Sequence, residues 1–226
     1  MQSGSPRRSN FDRTRATREA LLAAARQQFV RKGFAATSTP ELVAAAGLTR
    51  GALYHHFKDK GDLFQALLEE EAQAVAVEIE AAADGSHSPR EALIAGALAY
   101  LDAMTVTGRT RLLLVEGPAV LGVDKMRSLD EANAERTLVQ GLAAAIAEAA
   151  GSRRHERVAR EPAPLQEPDV AARAVLLSAA FDRAALAVDQ GADAPRYRAA
   201  MLALLEAVVD EATRVPAPAR PARRSQ

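Results

Sequence analysis

The sequence predicts an all-α protein in which a small N-terminal helical unit precedes a larger helical body. Apolar residues recur at intervals of three and four along most of the 226 residues, the spacing of amphipathic helices. No segment alternates polar and apolar residues in the manner of a half-buried strand. Apolar residues make up 48% of the chain and charged residues 26%, values typical of a globular protein with a buried core.

Composition and motifs narrow the class of function. The absence of cysteine excludes a disulfide framework, a thiolate zinc site and a cysteine nucleophile. No apolar run reaches 18 residues and the N-terminus has no hydrophobic signal core, so we expect no membrane partner and a cytoplasmic location. The four histidines lack ligand spacing, and there is no glycine-rich phosphate loop or nucleophile elbow. We therefore expect no catalytic residue, no metal and no cofactor.

Charge is unevenly distributed along the chain. The formal net charge is zero, yet residues 1–60 hold eleven basic and four acidic side chains, a local net charge of +7. Such asymmetry favours one end that binds a polyanion. Residues 1–13 are expected to form a disordered basic arm. Residues 215–226, rich in proline and arginine, are expected to form a disordered tail.

The first helix is predicted to begin at Thr14 or Thr17, because either hydroxyl can cap it. It ends at Lys32-Gly33, where glycine favours the left-handed conformation that closes a helix. Its buried stripe consists of Leu21, Leu22, Ala25 and Phe29.

A second, short helix is predicted over Leu42–Ala46, just before a glycine. Two caps are possible. Ser38 has capping-box spacing to Glu41, and Thr39 stands directly before Pro40 at the first helical position.

The third helix is predicted over Arg50–Phe57, capped by Thr49, with Leu53 and Phe57 facing the core. A fourth helix, about residues 60–83, connects this unit to the body.

Two short helices joined by a tight glycine turn and packed on a longer one form a helix-turn-helix unit, here residues 14–60. The third helix needs only its two anchors for the core. Its remaining positions are available to a partner: Thr49, Arg50, Gly51, Ala52, Tyr54, His55 and His56. Adjacent helical residues point about 100° apart, so the two histidines do not favour a shared metal ion.

This segment closely resembles the TetR family of bacterial transcriptional regulators. The matching string is Ala46-Gly47-Leu48-Thr49-Arg50-Gly51-Ala52-Leu53-Tyr54-His55-His56-Phe57-Lys58-Asp59-Lys60-Gly61-Asp62-Leu63-Phe64. The match extends back to Thr17-Arg18-Glu19, Phe29, Lys32-Gly33-Phe34 and Thr37-Ser38, and so covers about residues 14–70.

The resemblance implies a homodimer that presents two such helices to the major groove of double-stranded DNA at a palindromic operator. It also implies that the protein is a repressor, and that an unknown small-molecule effector releases it from the operator. The implied DNA-binding residues are Arg18, Thr37, Ser38, Thr49, Arg50, Gly51, Ala52, Tyr54, His55, His56 and Lys60.

Residues 84–214 are predicted to form a helical ligand-binding and dimerisation domain. Its predicted helices cover residues 89–106, 109–115, 129–150, 169–190 and 195–214, with a charged loop over residues 152–168. Polar groups within otherwise apolar helices, and the walls beside them, are candidates for a ligand site: Tyr100, Met104, Glu116, Phe181, Asp182 and Arg183. For a buried Glu116 we expect a cationic partner, Arg109 or Arg111.

The last two helices carry more apolar residues than chain ends normally need, which favours a two-fold, four-helix dimer interface. The interface candidates are Val170, Ala174, Leu177, Met201, Leu205 and Val208. A DNA-binding or helical interaction protein without effector control remains the alternative. An enzyme is not favoured, because no catalytic motif is present.

Overall fold

A computed structural model describes residues 10–156 and 167–212, and throughout these ranges the chain is helical without strands, which confirms the predicted fold class. The N-terminal unit contains α1 (Asn10–Lys32), α2 (Thr39–Ala45) and α3 (Arg50–His56), and α4 (Lys60–Ala83) follows it. The body contains α5 (Pro89–Met104), α6 (Arg109–Arg111), a π-helical turn (Leu112–Glu116), α7 (Gly117–Leu121), α8 (Val123–Ala132), α9 (Ala134–Glu156), α10 (Glu167–Asp189) and α11 (Ala194–Ala212).

Three phenylalanines form the centre of the N-terminal unit. The Phe29 ring meets the Phe64 ring edge to face at 5.1 Å, and the Phe34 ring lies 5.6 Å and 4.9 Å from these two. Phe29 and Phe64 are fully buried. Because Phe64 belongs to α4, the first turns of that helix are part of the N-terminal core, which links the unit to the body.

The body is built by successive packing of long helices. Helix α4 packs on α5, α5 on α9, α9 on α10 and α10 on α11. The buried side chains between them include Leu93, Ala97, Leu101, Leu142, Ala145, Leu177, Met201 and Leu205. Within the described ranges, no helix has both the length and the hydropathy that a membrane crossing needs.

Helix α1 begins earlier than predicted. It starts at Asn10 rather than at Thr14 or Thr17, so residues 10–13 of the predicted disordered arm are helical. The Thr17 hydroxyl donates to the carbonyl oxygen of Arg13 at 2.9 Å, so it is used inside the helix and not as a cap. The rest of the predicted arm, residues 1–9, lies outside the described residues.

The predicted helix over residues 129–150 is two helices in the structure. Asn133 separates α8 from α9 with φ −123° and ψ −104°. Its buried amide donates to the carbonyl oxygen of Leu129 at 2.7 Å and so satisfies the end of α8.

Both ends of the predicted loop over residues 152–168 are helical, because α9 continues to Glu156 and α10 begins at Glu167. Residues 157–166, like the whole predicted tail over 215–226, lie outside the described part of the chain.

The turn between α5 and α6 leaves no room for a side chain at Gly108. The residue has φ +79°, and a Cβ atom there would lie 2.6 Å from both Cγ atoms of Val30 in α1. Gly85, after α4, has nearly the same φ of +80°, but a Cβ atom there would meet nothing within 4 Å. The two glycines therefore share a backbone conformation and differ in packing.

We predict that Gly108→Ala destabilises the protein more than Gly85→Ala does. Each substitution incurs a left-handed backbone cost of about 1 kcal/mol, and only Gly108→Ala adds an overpacking cost of about 1–3 kcal/mol against Val30. Urea unfolding of both variants measures the difference. Equal losses of unfolding free energy would show that α1 does not press on this turn.

Candidate nucleic-acid interface

The geometry between α2 and α3 is set by one glycine and two caps. Gly47 adopts φ +65°, which turns the chain out of α2, and the N–H of Leu48 donates back to the carbonyl oxygen of Val43 at 2.9 Å. The Thr49 hydroxyl then accepts a hydrogen bond from the N–H of Ala52 and starts α3. These local bonds confirm the predicted helix-turn-helix and fix which side of α3 faces the core.

Helix α3 buries one residue, Leu53, and the residue after the helix, Phe57, at 0% and 2% exposure. The guanidinium of Arg18 lies over the Phe57 ring at 4.9 Å, which places α1 against the end of α3. The other side of α3 faces solvent. Its exposed positions are Thr49, Arg50, Gly51, Tyr54 and His55, with Ala52 and His56 partly exposed.

The exposed side of α3 is a surface of hydrogen-bond donors without a carboxylate. The Arg50 guanidinium lies 5.9 Å from the centre of the Tyr54 ring, which is itself 48% exposed. Partial burial lowers the pKa of His56, and the charges of His55 and Arg18 lower it further. The His56 ring is therefore neutral at pH 7 and can donate one hydrogen bond. Such a surface is suited to phosphate oxygens and base edges.

The N-terminus of α2 is occupied by a carboxylate of the chain itself. Both the N–H and the hydroxyl of Ser38 donate to Glu41 at 2.9 Å, which selects Ser38 over Thr39 as the N-cap. Lys32 also pairs with Glu41. The hydrogen bond from Lys32, followed by those from Ser38, lowers the pKa of Glu41 to about 2. Ser38 remains exposed at this corner of the unit.

Two residues predicted to contact DNA are used inside the protein. Thr37 is 1% exposed and its hydroxyl donates to the carbonyl oxygen of Gly33 at 2.8 Å, so it is not a surface residue. The Lys60 ammonium donates to the carbonyl oxygens of Phe34 and Thr37, both at 2.8 Å, and lies 4.1 Å from the Phe34 ring centre. A lysine in the first turn of a helix opposes the helix dipole. That mismatch is a sequence signal that Lys60 has another role, here holding the turn between α1 and α2.

The same turn is held from the body side by Glu116, the last residue of the π-helical turn. Its carboxylate accepts a hydrogen bond from the N–H of Phe34 at 2.7 Å and pairs with Arg111 at 2.7 Å. Arg111 is thus the cationic partner that the sequence suggested. Glu116 does not line either of the two cavities of the body described below. We name this contact of Phe34, Arg111 and Glu116 the junction.

A second polar network joins α1 to the body. Glu71 of α4 is buried and accepts hydrogen bonds from Arg26 of α1 at 2.6 Å and from Arg109 of α6 at 2.8 Å. Arg109 also pairs with Glu78, and Arg26 donates to the carbonyl oxygen of Thr107. The carboxylates and the guanidinium groups of this network lie in contact, so they neutralise one another's charge.

The body contains two adjoining cavities. The larger one, about 690 Å³, lies between α4, α5, α9 and α10, and we name it the lateral cavity. The smaller one, about 320 Å³, extends from α4 and α5 past the π-helical turn to α8 and α10, and we name it the acidic cavity. Tyr100, Ala134 and Ser178 line both.

Four of the six predicted ligand-site residues line these cavities. Tyr100 lines both, Met104 and Asp182 line the acidic cavity, and Phe181 lines the lateral cavity. Arg183 is exposed and lines neither, because it lies on the outer side of α10.

Two carboxylates that line the acidic cavity, Asp130 and Asp182, are hydrogen-bonded to hydroxyl groups. Asp182 accepts a hydrogen bond from the Tyr100 hydroxyl at 2.5 Å, and Asp130 accepts one from the Ser178 hydroxyl at 3.0 Å. Burial, with the nearby charge of Asp130, raises the pKa of Asp182 to about 6, and burial also raises the pKa of Asp130. Among the described residues, no lysine or arginine forms an ion pair with either one. The sequence alone did not identify Asp130 and Ser178 as cavity residues, since polar residues at such positions of an amphipathic helix usually face solvent.

We predict that Asp182→Asn stabilises the protein at pH 8. The ordinary pKa of 3.8 is raised to about 6 in the fold, so the neutral form favours folding below about pH 4 and that contribution is lost as pH rises through 6. Asparagine carries no charge and can still accept from Tyr100, so the gain at pH 8 should be about 1–3 kcal/mol. Urea unfolding at pH 8 and pH 5 should show a smaller gain at pH 5. A gain independent of pH would contradict burial of an ionised Asp182.

The predicted dimer-interface residues belong to the chain's own core. Ala174, Leu177, Met201 and Leu205 are buried within the single chain, and Val170 and Val208 pack against that core. The apolar stripe visible in the sequence therefore faces inward. The outer side of the two last helices is lined by small residues and two leucines. We name it the terminal-helix face: Ala172, Leu176, Ala179, Ala200, Ala203, Leu204 and Ala207.

The fold and the donor-bearing side of α3 define a helix-turn-helix regulator with a helical body. The family model for bacterial regulatory proteins of the tetR family matches residues 21–67. A solved TetR-family transcriptional regulator from Pectobacterium atrosepticum is 30% identical and matches 89% of this chain and 95% of its own, with a TM-score of 0.60. The chain belongs to the TetR family of bacterial transcriptional regulators.

Other similarities agree with this membership. The transcriptional regulator AcrR of Shigella flexneri is 40% identical over 101 residues, 44% of this chain and 46% of AcrR. The transcriptional repressor BepR of Brucella suis is 48% identical over 52 residues, 23% of this chain and 25% of BepR. The matches thus span less than half the length of these curated relatives. A TetR-family regulator from Streptomyces coelicolor, 20% identical, shares the fold over 88% of this chain and 97% of its own, with a TM-score of 0.66. These proteins are transcriptional regulators and not enzymes.

Proposed function

We propose that the protein is a homodimeric repressor that binds a palindromic operator and is released from it by a small-molecule effector. The observation that carries this proposal is the exposed side of α3, which offers arginine, tyrosine and histidine donors while only Leu53 and Phe57 anchor the segment. Family membership supports a regulator of transcription, and the repressor BepR, similar over 52 residues, supports the sense of regulation.

Each exposed position of α3 has a role that its chemistry favours. Arg50, in the first turn, can donate two parallel hydrogen bonds to guanine O6 and N7. Gly51 and Ala52 allow close approach and contact with a thymine methyl group. Tyr54 and His56 can donate to phosphates.

Residues around α3 complete the interface. Thr49 and His55 are placed for a base edge or a phosphate, and Ser38 and Arg18 flank the same surface. Lys60 retains one ammonium proton beyond its two carbonyl bonds, so a phosphate contact there is secondary to its hold on the turn.

A dimer is favoured by the terminal-helix face. Leu176 is 72% exposed and Leu204 43% exposed, and the alanines around them allow two copies to pack closely. Two copies related by a two-fold axis would place two α3 helices on one side of DNA, about one helical turn (~34 Å) or more apart. A palindrome is the sequence that matches such symmetry.

Binding to DNA from the intergenic region upstream of the gene, measured by gel shift at increasing salt, tests the proposal. We expect a complex that tolerates competitor DNA and maps to a palindrome. Affinity that falls steeply with salt and is equal for every duplex would instead support the alternative, a DNA-binding protein without an operator.

We predict that Arg50→Ala relaxes base preference at one position of each half-site. The loss should be about 1–3 kcal/mol on the preferred base pair and smaller on its variants. Fluorescence anisotropy with single-base-pair variants of the operator measures it. Lys125→Ala, which removes one exposed charge from α8, is the control and should leave the preference unchanged. Uniform weakening across all variants would place Arg50 on a phosphate.

We predict that the double variant Leu176→Glu, Leu204→Glu is a folded monomer. Two carboxylates on each copy would be desolvated against the other copy, which costs several kcal/mol of association. Sedimentation equilibrium should show the mass of one chain, 24.0 kDa, and operator binding should fall at least tenfold. Val123→Glu, at a valine that is 75% exposed on α8, is the control. A dimer that survives the double substitution would show that the interface lies elsewhere.

A further inference from the structure

We propose that the acidic cavity binds an organic cation with an apolar body, whose charge lies between Asp130 and Asp182. This inference rests on the proposed effector-controlled function and names the chemical class of the effector. It starts from the cavity itself. A partly open cavity of about 320 Å³ is lined by side chains from α4, α5, the π-helical turn, α7, α8, α9 and α10, and this volume lies within the usual range of small-molecule sites.

The walls of this cavity are apolar. The apolar side chains of the lining include Val75, Met104, Leu113, Leu114, Met126 and Leu129. Methionine side chains adapt to ligand shape, and aliphatic groups bury an aromatic or alkyl body without a polar cost. The ligand is therefore largely apolar.

Three of the seven polar side chains that line the cavity are acidic. Asp130 and Asp182 each use one hydroxyl donor, and Asp130 accepts a further hydrogen bond from the N–H of Glu135. The charge of Asp130 contributes to the raised pKa of Asp182, so the two carboxylates are close enough to repel. Glu135, which also lines the cavity, has a raised pKa through burial and the charges of Asp130 and Glu131.

Within the described ranges, no lysine or arginine forms an ion pair that would relieve this repulsion. Arg127 lines the cavity, but it is largely exposed and pairs with Asp124 and Glu131. A partly buried carboxylate without an ion-pair partner costs folding free energy, so Asp130 and Asp182 facing one cavity are a feature of a binding site rather than of a stabilising core. An organic cation would neutralise both while its body fills the apolar space. The Tyr100 ring, beside Asp182, adds a π face for the charge.

The test compares two probes of the same shape. 1-Methylquinolinium carries a permanent positive charge, and 1-methylnaphthalene is its neutral isostere. Titration calorimetry with the full-length protein at pH 8 should show one cation bound per chain, and the hydrocarbon should bind at least tenfold more weakly. Equal affinity for the two probes, or no binding of the cation at millimolar concentration, would overturn the proposal.

Substitution assigns the charge recognition. Asp182→Asn and Asp130→Asn should each weaken cation binding at least tenfold and leave hydrocarbon binding unchanged, because each keeps the shape of the site and loses a charge. Glu69→Gln, at an exposed acidic residue of α4 outside the acidic cavity, is the control and should bind as the parent does. Thermal unfolding checks that each variant is folded. Unchanged cation affinity in both Asp182→Asn and Asp130→Asn would overturn the proposal.

This outcome is separable from the proposed function. If the protein binds its operator and a compound other than a cation releases it, the proposed regulator stands and the cation site is wrong. If it binds the cation in the acidic cavity but no duplex, the site stands and the proposed regulator is wrong.

Discussion

The structure depends on the hydrogen bond from the N–H of Phe34 to the carboxylate of Glu116. This bond joins the turn before α2 to the π-helical turn of the body over a sequence separation of 82 residues. Arg111 neutralises the carboxylate from outside, and the Phe34 ring packs on Phe29 and Phe64 inside. Phe34 is thus held by the core of the N-terminal unit through its side chain and by the body through its backbone N–H. This contact, together with Phe64 and the Glu71 network, fixes the position of the N-terminal unit relative to the body.

The π-helical turn gives Glu116 its position. It ends directly before α7, whose second residue, Pro118, has no N–H to donate to the carbonyl oxygen of Leu114 four residues earlier. A wider turn accommodates this missing donor, and such turns are frequent at functional sites. Leu113 and Leu114 of the same turn line the acidic cavity. A single turn of backbone therefore contacts the cavity with its first half and the DNA-binding unit with its last residue.

The structural features that could be predicted from the sequence are those set by residues close together along the chain. The caps at Ser38 and Thr49, the turn at Gly47 and the anchors Leu53 and Phe57 act within a few residues, so the helix-turn-helix and its exposed face were predictable. Lys60 instead binds carbonyl oxygens 23 and 26 residues away, which no local pattern indicates. The faces of α10 and α11 were misassigned for a related reason. Their strongest apolar stripe packs inward, and the outer side is mostly alanine, which carries little hydropathic signal. Among cavity residues, aromatic and buried polar side chains were identifiable, whereas Asp130 required the packing of α8 against α10.

The geometry limits how an effector could act on DNA binding. A ligand shifts an equilibrium only by the difference in its affinity for the two conformations, and about 2.7 kcal/mol of difference would change operator affinity about a hundredfold. The two partly buried carboxylates would supply such a difference in the proposed site, because a cation between them relieves their repulsion. The junction would carry the change, since a displacement of about 1 Å at Leu113 and Leu114 would lengthen a 2.7 Å hydrogen bond beyond the range in which it is strong. The same carboxylates that lower the stability of the free protein would then provide the energy of its response.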